Sequence, residues 1–506
     1  LQSNIAGSKI KTMHTPKLQC LLSTASIVLL LSCAALSSQT VPAKTKKQPN
    51  PVEEAKTRRE AMDLFKKAEA MIGTAGENSE EQAELFRKAI QAKPDFLEAH
   101  YNLGLIYANQ KKMAEASAEF ETVLQIEPQF DAEIYLLLAT THQARANNGA
   151  AIAALEEGLR RKPNDLKFLK ALAYMQYNDK KDSSAIQTLI QLLEVDPADA
   201  SAHIDLALLY LRNNQAEKAI SHFQEALLRD ANNFEARYNL GLLYLRQKKH
   251  GEATIELEMA DKIRPGDPDL LERLGDAYAY QNQHDKAVVA YRAALIKASD
   301  RGSVLAKLGF NLANLNRTEE AVATLESANK LNDRNSDVLF LLGDLYGDLK
   351  RYEDAIAAYQ KSIRINPKQK EVHYNLGTVF AEQNRLNDAM TELKIALDLD
   401  PQYAAAWSNM ALVAEKMDRD REAIQAHEKV IALGNGRGLN YFHLGVLYAK
   451  VSLPDASIAA FTRAIEMEPE KYRAVLKEEL KKVHSVLDSV RYKEGFAKLI
   501  NPSSAN

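Results

Sequence analysis

Residues 234–267 read FEARYNLGLLYLRQKKHGEATIELEMADKIRPGD. Their tetrapeptide Tyr238–Gly241 recurs at Tyr101–Gly104 and Tyr374–Gly377, at separations of 137 and 136 residues. Both separations are close to four periods of 34. Counting outward from this stretch divides residues 97–471 into eleven units: 97–130, 132–165, 166–199, 200–233, 234–267, 268–301, 302–335, 336–369, 370–403, 404–437 and 438–471. The one slip in register lies at Asp131.

The columns of the repeat carry physical information. Position 7 is Leu in ten units and Met410 in the other, while position 8 is always Gly or Ala. Position 20 is Ala ten times and Ser457 once. Small residues at 8 and 20 let two antiparallel helices approach closely. Position 24 is large, as in Phe120, Phe223, Tyr291 and Phe461. Position 32 is Pro in seven units, where it ends a helix and sets the turn into the next unit. Each unit therefore predicts two helices, near positions 1–14 and 18–31.

This pattern resembles the tetratricopeptide repeat, a helix-turn-helix motif with a period of ~34 residues. The resemblance implies an all-α, right-handed superhelical solenoid of antiparallel helix pairs. Residues 60–96 read as a divergent first unit, with Phe86, Ala89 and Pro94 at positions 24, 27 and 32 and a lengthened turn over Gly73–Ser79. Residues 472–506 read as a capping helix and tail. The stripe Leu476, Leu480, Val483, Leu487 and Val490 covers the open face that a terminal repeat would otherwise expose.

Composition excludes several classes. The 506 residues hold 65 Lys+Arg and 68 Asp+Glu, a net charge of −3, which lacks the basic excess of a nucleic-acid platform. Hydrophobic residues at 46% and charged residues at 26% exclude a chain that is disordered throughout or crosses a membrane many times. The two cysteines, Cys20 and Cys33, both precede the repeats, so no disulfide framework is expected in the array.

Residues 1–39 read as an upstream extension followed by an export segment. Met13 opens a short basic n-region through Lys17, and Leu21–Leu36 is apolar, the layout of a signal peptide. Three endings stay open. Leu30-Leu31-Ser32-Cys33 resembles a lipobox and makes Cys33 a lipidation candidate; Ala35-Leu36-Ser37 and Val41-Pro42-Ala43 offer ordinary cleavage; an uncleaved anchor is the third. Residues 40–59 read as a Pro- and Lys-rich tether leading into the first helix. All three endings predict an exported protein, periplasmic or membrane-anchored in a bacterium.

No unit carries a catalytic constellation, a metal-binding spacing or a phosphate-binding loop. His100, His203 and His373 share position 4, a packing column. The expectation is a protein without enzymatic activity, resident metal or cofactor, acting through its surface. In the family, positions 2, 5, 6, 9, 12 and 13 of the first helices line a concave groove. Applied here, they select three groups of residues. An apolar zone with arginines holds Ile204, Leu208, Arg212, Tyr238, Asn239, Leu242 and Arg246. An acidic zone holds Asp269, Glu272, Asp276, Asp337, Asp344 and Asp348 against Arg273 and Lys307, a net of −4. Scattered aromatic and amide positions are Tyr101, Asn102, Tyr174, Phe340, Tyr374, Asn375 and Asn409. Asn occupies position 6 in only four units, so the continuous Asn ladder of arrays attached to O-GlcNAc transferases is incomplete. The clamp that holds chaperone tails is also missing, since Lys170 is followed by Tyr174 and Asp205.

The sequence thus predicts an interaction scaffold in the cell envelope that binds extended protein segments, basic ones at the acidic zone, with no nucleic-acid partner. Membrane contact is expected only through the N-terminal segment or a lipid. Two other readings stay open: a substrate-recruiting subunit of a separate glycosyltransferase, and a glycan-binding solenoid.

Overall fold

The computed structural model describes residues 51–481, 487, 488, 490 and 496–500, which form 26 helices and no strand. The Cys33 region and the start of the tether fall outside the described residues. The chain divides into two compact units that meet in sequence at Pro265 and Gly266. In each, neighbouring helices pair antiparallel and successive pairs stack.

The 34-residue period maps directly onto helix boundaries. In unit 97–130 the helices are Leu97–Asn109 and Met113–Ile126, and in unit 336–369 they are Ser336–Asp348 and Tyr352–Ile365. The turn between them has one fixed geometry. Position 15 is left-handed in all eleven units, from Lys111 (φ 60°) and Ala146 (φ 57°) to Ser452 (φ 60°). The next residue donates its N–H to the carbonyl of position 11, as Lys112 does to Tyr107 over 2.8 Å, and position 15 donates to position 12, as Lys111 does to Ala108 over 3.0 Å. These two bonds define a Schellman motif, which satisfies carbonyls that the helix end leaves open. None of the eleven left-handed residues is glycine.

Glycine is used where helices cross. A Cβ on Gly104 would stand 2.6 Å from the Phe120 ring, and one on Gly275 would stand 2.6 Å from Tyr291. Position 8 therefore faces position 24 of the same unit, and the large residue fills the space that the small one leaves. Between units the roles reverse: Gly158 at position 27 makes room for Phe168 at position 3 of the next unit. The N-terminal ends of several first helices are capped by position 34 of the preceding unit. Asp199 accepts from the Ala202 N–H at 3.0 Å, and Asn233 accepts from the Ala236 N–H at 3.0 Å. Each such cap contributes about 1 kcal/mol.

The two ends of the array depart from the sequence pattern. Among the described residues the first helix spans Pro51–Glu69 and begins before residue 60. The helix after the last repeat spans Pro469–Leu480, and the described residues Leu487 and Val490 lie beyond its end. Pro469 starts it because proline fits the first helical position, where no intrahelical N–H bond is required. Leu487 and Val490 lie in turns yet are fully buried, with Tyr472, Leu476 and Phe496, against Phe442 and Phe461. Val483 lies outside the described residues.

Candidate functional site

The first helices of units 132–165 and 166–199 leave a cleft of about 350 Å³ between them. Leu136, Thr140 and Gln143 line it from positions 5, 9 and 12 of one unit. Lys167, Lys170, Ala171 and Tyr174 line it from positions 2, 5, 6 and 9 of the next. Ala139, Leu155, Leu166 and Met175 complete its wall. Small side chains at Ala139 and Ala171 keep the space open, since a larger residue at either would fill it. The lysines at the rim are paired, Lys167 with Glu133 at 3.0 Å and Lys170 with Asp199 at 2.6 Å. The cleft thus presents an apolar wall with paired charges at its edge, suited to one apolar or aromatic side chain of a bound segment. Of its residues, Tyr174 alone is among the selected site positions. Leu136, Thr140, Gln143, Lys167, Lys170 and Ala171 occupy the same columns and were legible by the same rule, whereas Ala139, Leu155, Leu166 and Met175 lie outside them.

Between neighbouring first helices, position 6 reaches back to position 9 of the preceding unit. Lys307 Nζ lies 2.7 Å from Asp276, Asn375 donates to Asp344 over 2.7 Å, and Asn409 donates to Thr378 Oγ1 over 2.8 Å. The amides of Asn375 and Asn409 are therefore engaged inside the array. Position 24 contributes to the same networks, with the Tyr291 hydroxyl donating to Asp276 at 2.8 Å and the Tyr359 hydroxyl to Asp344 at 2.7 Å.

The first half of the acidic zone is neutralised from within. Lys307 is buried between Glu272 (2.8 Å) and Asp276, and Arg301 bonds Asp269 at 2.6 Å and reaches Glu272 at 3.5 Å. Arg273 adds a contact to Asp276 at 3.2 Å. Glu272 is itself buried, so it supports the fold instead of facing a partner. Arg301 stands at position 34, outside the groove columns, and so escapes a count restricted to them. Burial alone lowers the lysine pKa, but Asp276 and Glu272 outweigh it and raise Lys307 above the usual range. At Asp344 the next unit offers the neutral amide of Asn375 in place of a lysine. Burial then dominates and raises that carboxyl to about 6, against the pull of the Tyr359 and Asn375 hydrogen bonds. Asp337 accepts from Gln369 at 3.4 Å, and Asp348 is exposed. Only these two remain as open acidic positions of the zone's second half.

The apolar zone is corrected in the same way. Ile204, Leu208, Tyr238, Asn239 and Leu242 are buried, as is Phe340 farther along. They are the packing layer beneath the surface, because adjacent first helices cover positions 5 and 9. Asn239 donates to the Glu235 carbonyl at 3.0 Å, and its side-chain oxygen is buried without a partner. Nearby Asp205 is raised well above the carboxylate range by burial, reinforced by Glu235 and Asp199. Arg212 lies 4.3 Å from the Tyr177 ring centre and is ion-paired with Asp182, whereas Arg246 is exposed. Tyr101 packs on Phe130 with ring centres 5.5 Å apart, and Tyr374 on Tyr403 at 5.1 Å. Both are part-buried, as is Asn102.

Paired helices, a constant turn and a cleft between first helices define a helix-pair repeat scaffold. The chain belongs to the tetratricopeptide repeat family. Models described as tetratricopeptide repeat match residues 83–141, 183–231, 204–268, 268–295 and 440–471, and one described as TPR repeat matches 343–383 and 377–418. No curated protein matches the chain. Similar solved structures include a tetratricopeptide repeat protein from Parabacteroides merdae, at 18% identity and a TM-score of 0.36, covering 48% of this chain and 97% of that one. A PilF structure from Pseudomonas aeruginosa is 20% identical with a TM-score of 0.36, covering 42% of this chain and 97% of that one. A MamA structure is 24% identical with a TM-score of 0.32, covering 34% and 93%. Among the described residues, no helix is long and apolar enough to cross a membrane.

Proposed function

We propose that the chain is a non-enzymatic scaffold of the cell envelope that holds extended segments of envelope proteins along its first helices and so assembles or tethers a complex. The cleft beside Tyr174 carries this reading. It is an apolar recess with a polar rim, the arrangement that anchors one large side chain of a peptide while the rest of the segment lies across neighbouring repeats. Exposed Asp348 and half-buried Asp337 favour a basic stretch elsewhere on the segment. The envelope location rests on the apolar stretch Leu21–Leu36, which reads as an export signal.

A photoreactive residue at position 174 in intact cells, followed by mass spectrometry of the adducts and of the mature N-terminus, tests both parts. Envelope proteins crosslinked at 174, and lost when Ala171→Glu fills the cleft with charge, support the reading. The same partners recovered after Ala171→Glu would refute it. An N-terminus that retains residues 18–43 on a cytosolic chain would refute the location.

A further inference from the structure

Unit 404–437 breaks the packing rule at position 24. Elsewhere in the array that position holds Phe, Tyr or Leu; here it is His427, buried on the helix Asp420–Ala432. His427 Nε2 lies 2.8 Å from Oε1 of Glu415, at position 12 in the last turn of the helix Ala404–Lys416. The other oxygen, Oε2, lies 2.8 Å from Nδ1 of His443, at position 6 of the helix Gly438–Lys450. One donor atom from each of the three residues lies within 4.8 Å of the others. The two imidazoles stack with centres 5.4 Å apart and planes 22° apart.

Other buried histidines of the array show what a packing role looks like. His100 and His373 each bond one carboxylate, Glu119 at 2.5 Å and Glu392 at 2.7 Å. Their other ring nitrogens each meet a proline carbonyl, Pro94 at 3.0 Å and Pro367 at 3.2 Å. In both, one imidazole meets one carboxylate and every ring nitrogen is used within the fold. At Glu415 a single carboxylate serves two imidazoles supplied by two different helices.

We propose that Glu415, His427 and His443 form a binding site for one divalent transition-metal ion of the zinc type. Two imidazole nitrogens and one carboxylate oxygen suit zinc and its first-row neighbours, whereas calcium and magnesium prefer all-oxygen shells. Glu415 already turns one oxygen to each of the two ring nitrogens that would share the ion. Donors now at hydrogen-bond distance need to open by about 0.5 Å to surround an ion at ~2.0–2.2 Å. Metal binding needs a lone pair on Nε2 of His427 and on Nδ1 of His443, which places the ring hydrogens on His427 Nδ1 and His443 Nε2. Asn440 Nδ2, 3.2 Å from His427 Nδ1, then moves aside, while Asn440 Oδ1 keeps its bond from the Arg437 N–H at 2.9 Å. Three protein ligands leave a fourth position open, and Glu415 and His443 are part-exposed, with 23% and 28% of their side chains accessible. Positions 12 and 6 are groove columns, so the open position faces the surface where the family binds its partners, and a His, Asp or Cys of a bound segment would complete the shell.

The test uses the full chain without a histidine tag. Isothermal titration with Zn²⁺, and the visible absorption of added Co²⁺, should show one ion per chain in a four-coordinate nitrogen–oxygen site. His443→Gln and Glu415→Gln should each weaken binding tenfold or more. Far-UV circular dichroism checks their fold, and part-exposed His443→Gln is the deciding variant if Glu415→Gln loses helix. No binding at 100-fold excess Zn²⁺, or unchanged stoichiometry and affinity in a folded His443→Gln variant, would overturn the proposal.

Discussion

The Tyr359 hydroxyl donates to Asp344 Oδ1 over 2.7 Å, and Asn375 of the next repeat donates to the same oxygen, also over 2.7 Å. Burial, with no cation to offset it, outweighs the pull of these two neutral donors and raises the carboxyl to about 6. A folded-state pKa above the unfolded value of ~3.9 contributes stability below pH 4, which is lost as pH rises through 6. Asp344→Asn retains an accepting oxygen and removes the charge. It should stabilise the protein by about 1–2 kcal/mol at pH 7.5 and by little at pH 4. Urea midpoints of both proteins at the two pH values check the sign. The burial also means that charge-reversal tests of partner binding belong at Asp337 and Asp348, not at Asp344.

Lys307 supplies in unit 302–335 the charge that Asp344 lacks. Replacing it by Met strands Glu272 and Asp276 without their shared cation and should cost about 3–5 kcal/mol at pH 7. The repulsion between the two stranded carboxylates weakens as acid supplies protons, so the deficit should shrink as pH falls towards 4. Equal deficits at both pH values would show that lost packing, not charge, is responsible.

Gly275 faces the ring of Tyr291, which its hydroxyl bond to Asp276 holds in place. Gly275→Ala should therefore destabilise by about 1–3 kcal/mol through overpacking, despite the better helix propensity of Ala. Tyr291→Leu in the same chain frees the fixed ring and should recover part of the loss. Thermal unfolding of the single and double variants reads the coupling.

Ala146 is exposed and left-handed at φ 57°. Ala146→Gly removes the Cβ clash of that conformation, worth ~1–2 kcal/mol, against a smaller entropic cost in the unfolded chain. A net gain of about 0.5–1 kcal/mol is expected, and Ala146→Val should be destabilising. Chemical denaturation of the pair checks the opposite signs.

Column reasoning found the helix pairs to within a residue or so, because close packing restricts positions 7, 8, 20 and 24 to few residue types. It did not find the Schellman turn. The left-handed position 15 is filled by Lys, Ala, Asn, Asp and Ser, a mixture with no single signature, and the geometry comes from the two backbone bonds. The C-terminal stripe misled in the opposite way. Leu487 and Val490 are buried as a helical face predicts, but turns bring them there.

The sequence by itself determined the repeat, its register and the all-α architecture, since these follow from local periodicity and volume. It also marked which columns lie on the first-helix face. Only the tertiary structure decided what those columns do. Position 6 meets position 9 of the preceding repeat, so Asn375, Asn409 and Lys307 are spent on the array, and Ile204, Leu208 and Tyr238 are covered by neighbours. The net of −4 read from the acidic zone was reduced by Arg301, a residue outside the columns. The cleft at Tyr174 and the meeting of Glu415, His427 and His443 depend on side chains from different helices, and their distances are fixed by packing that no single repeat contains.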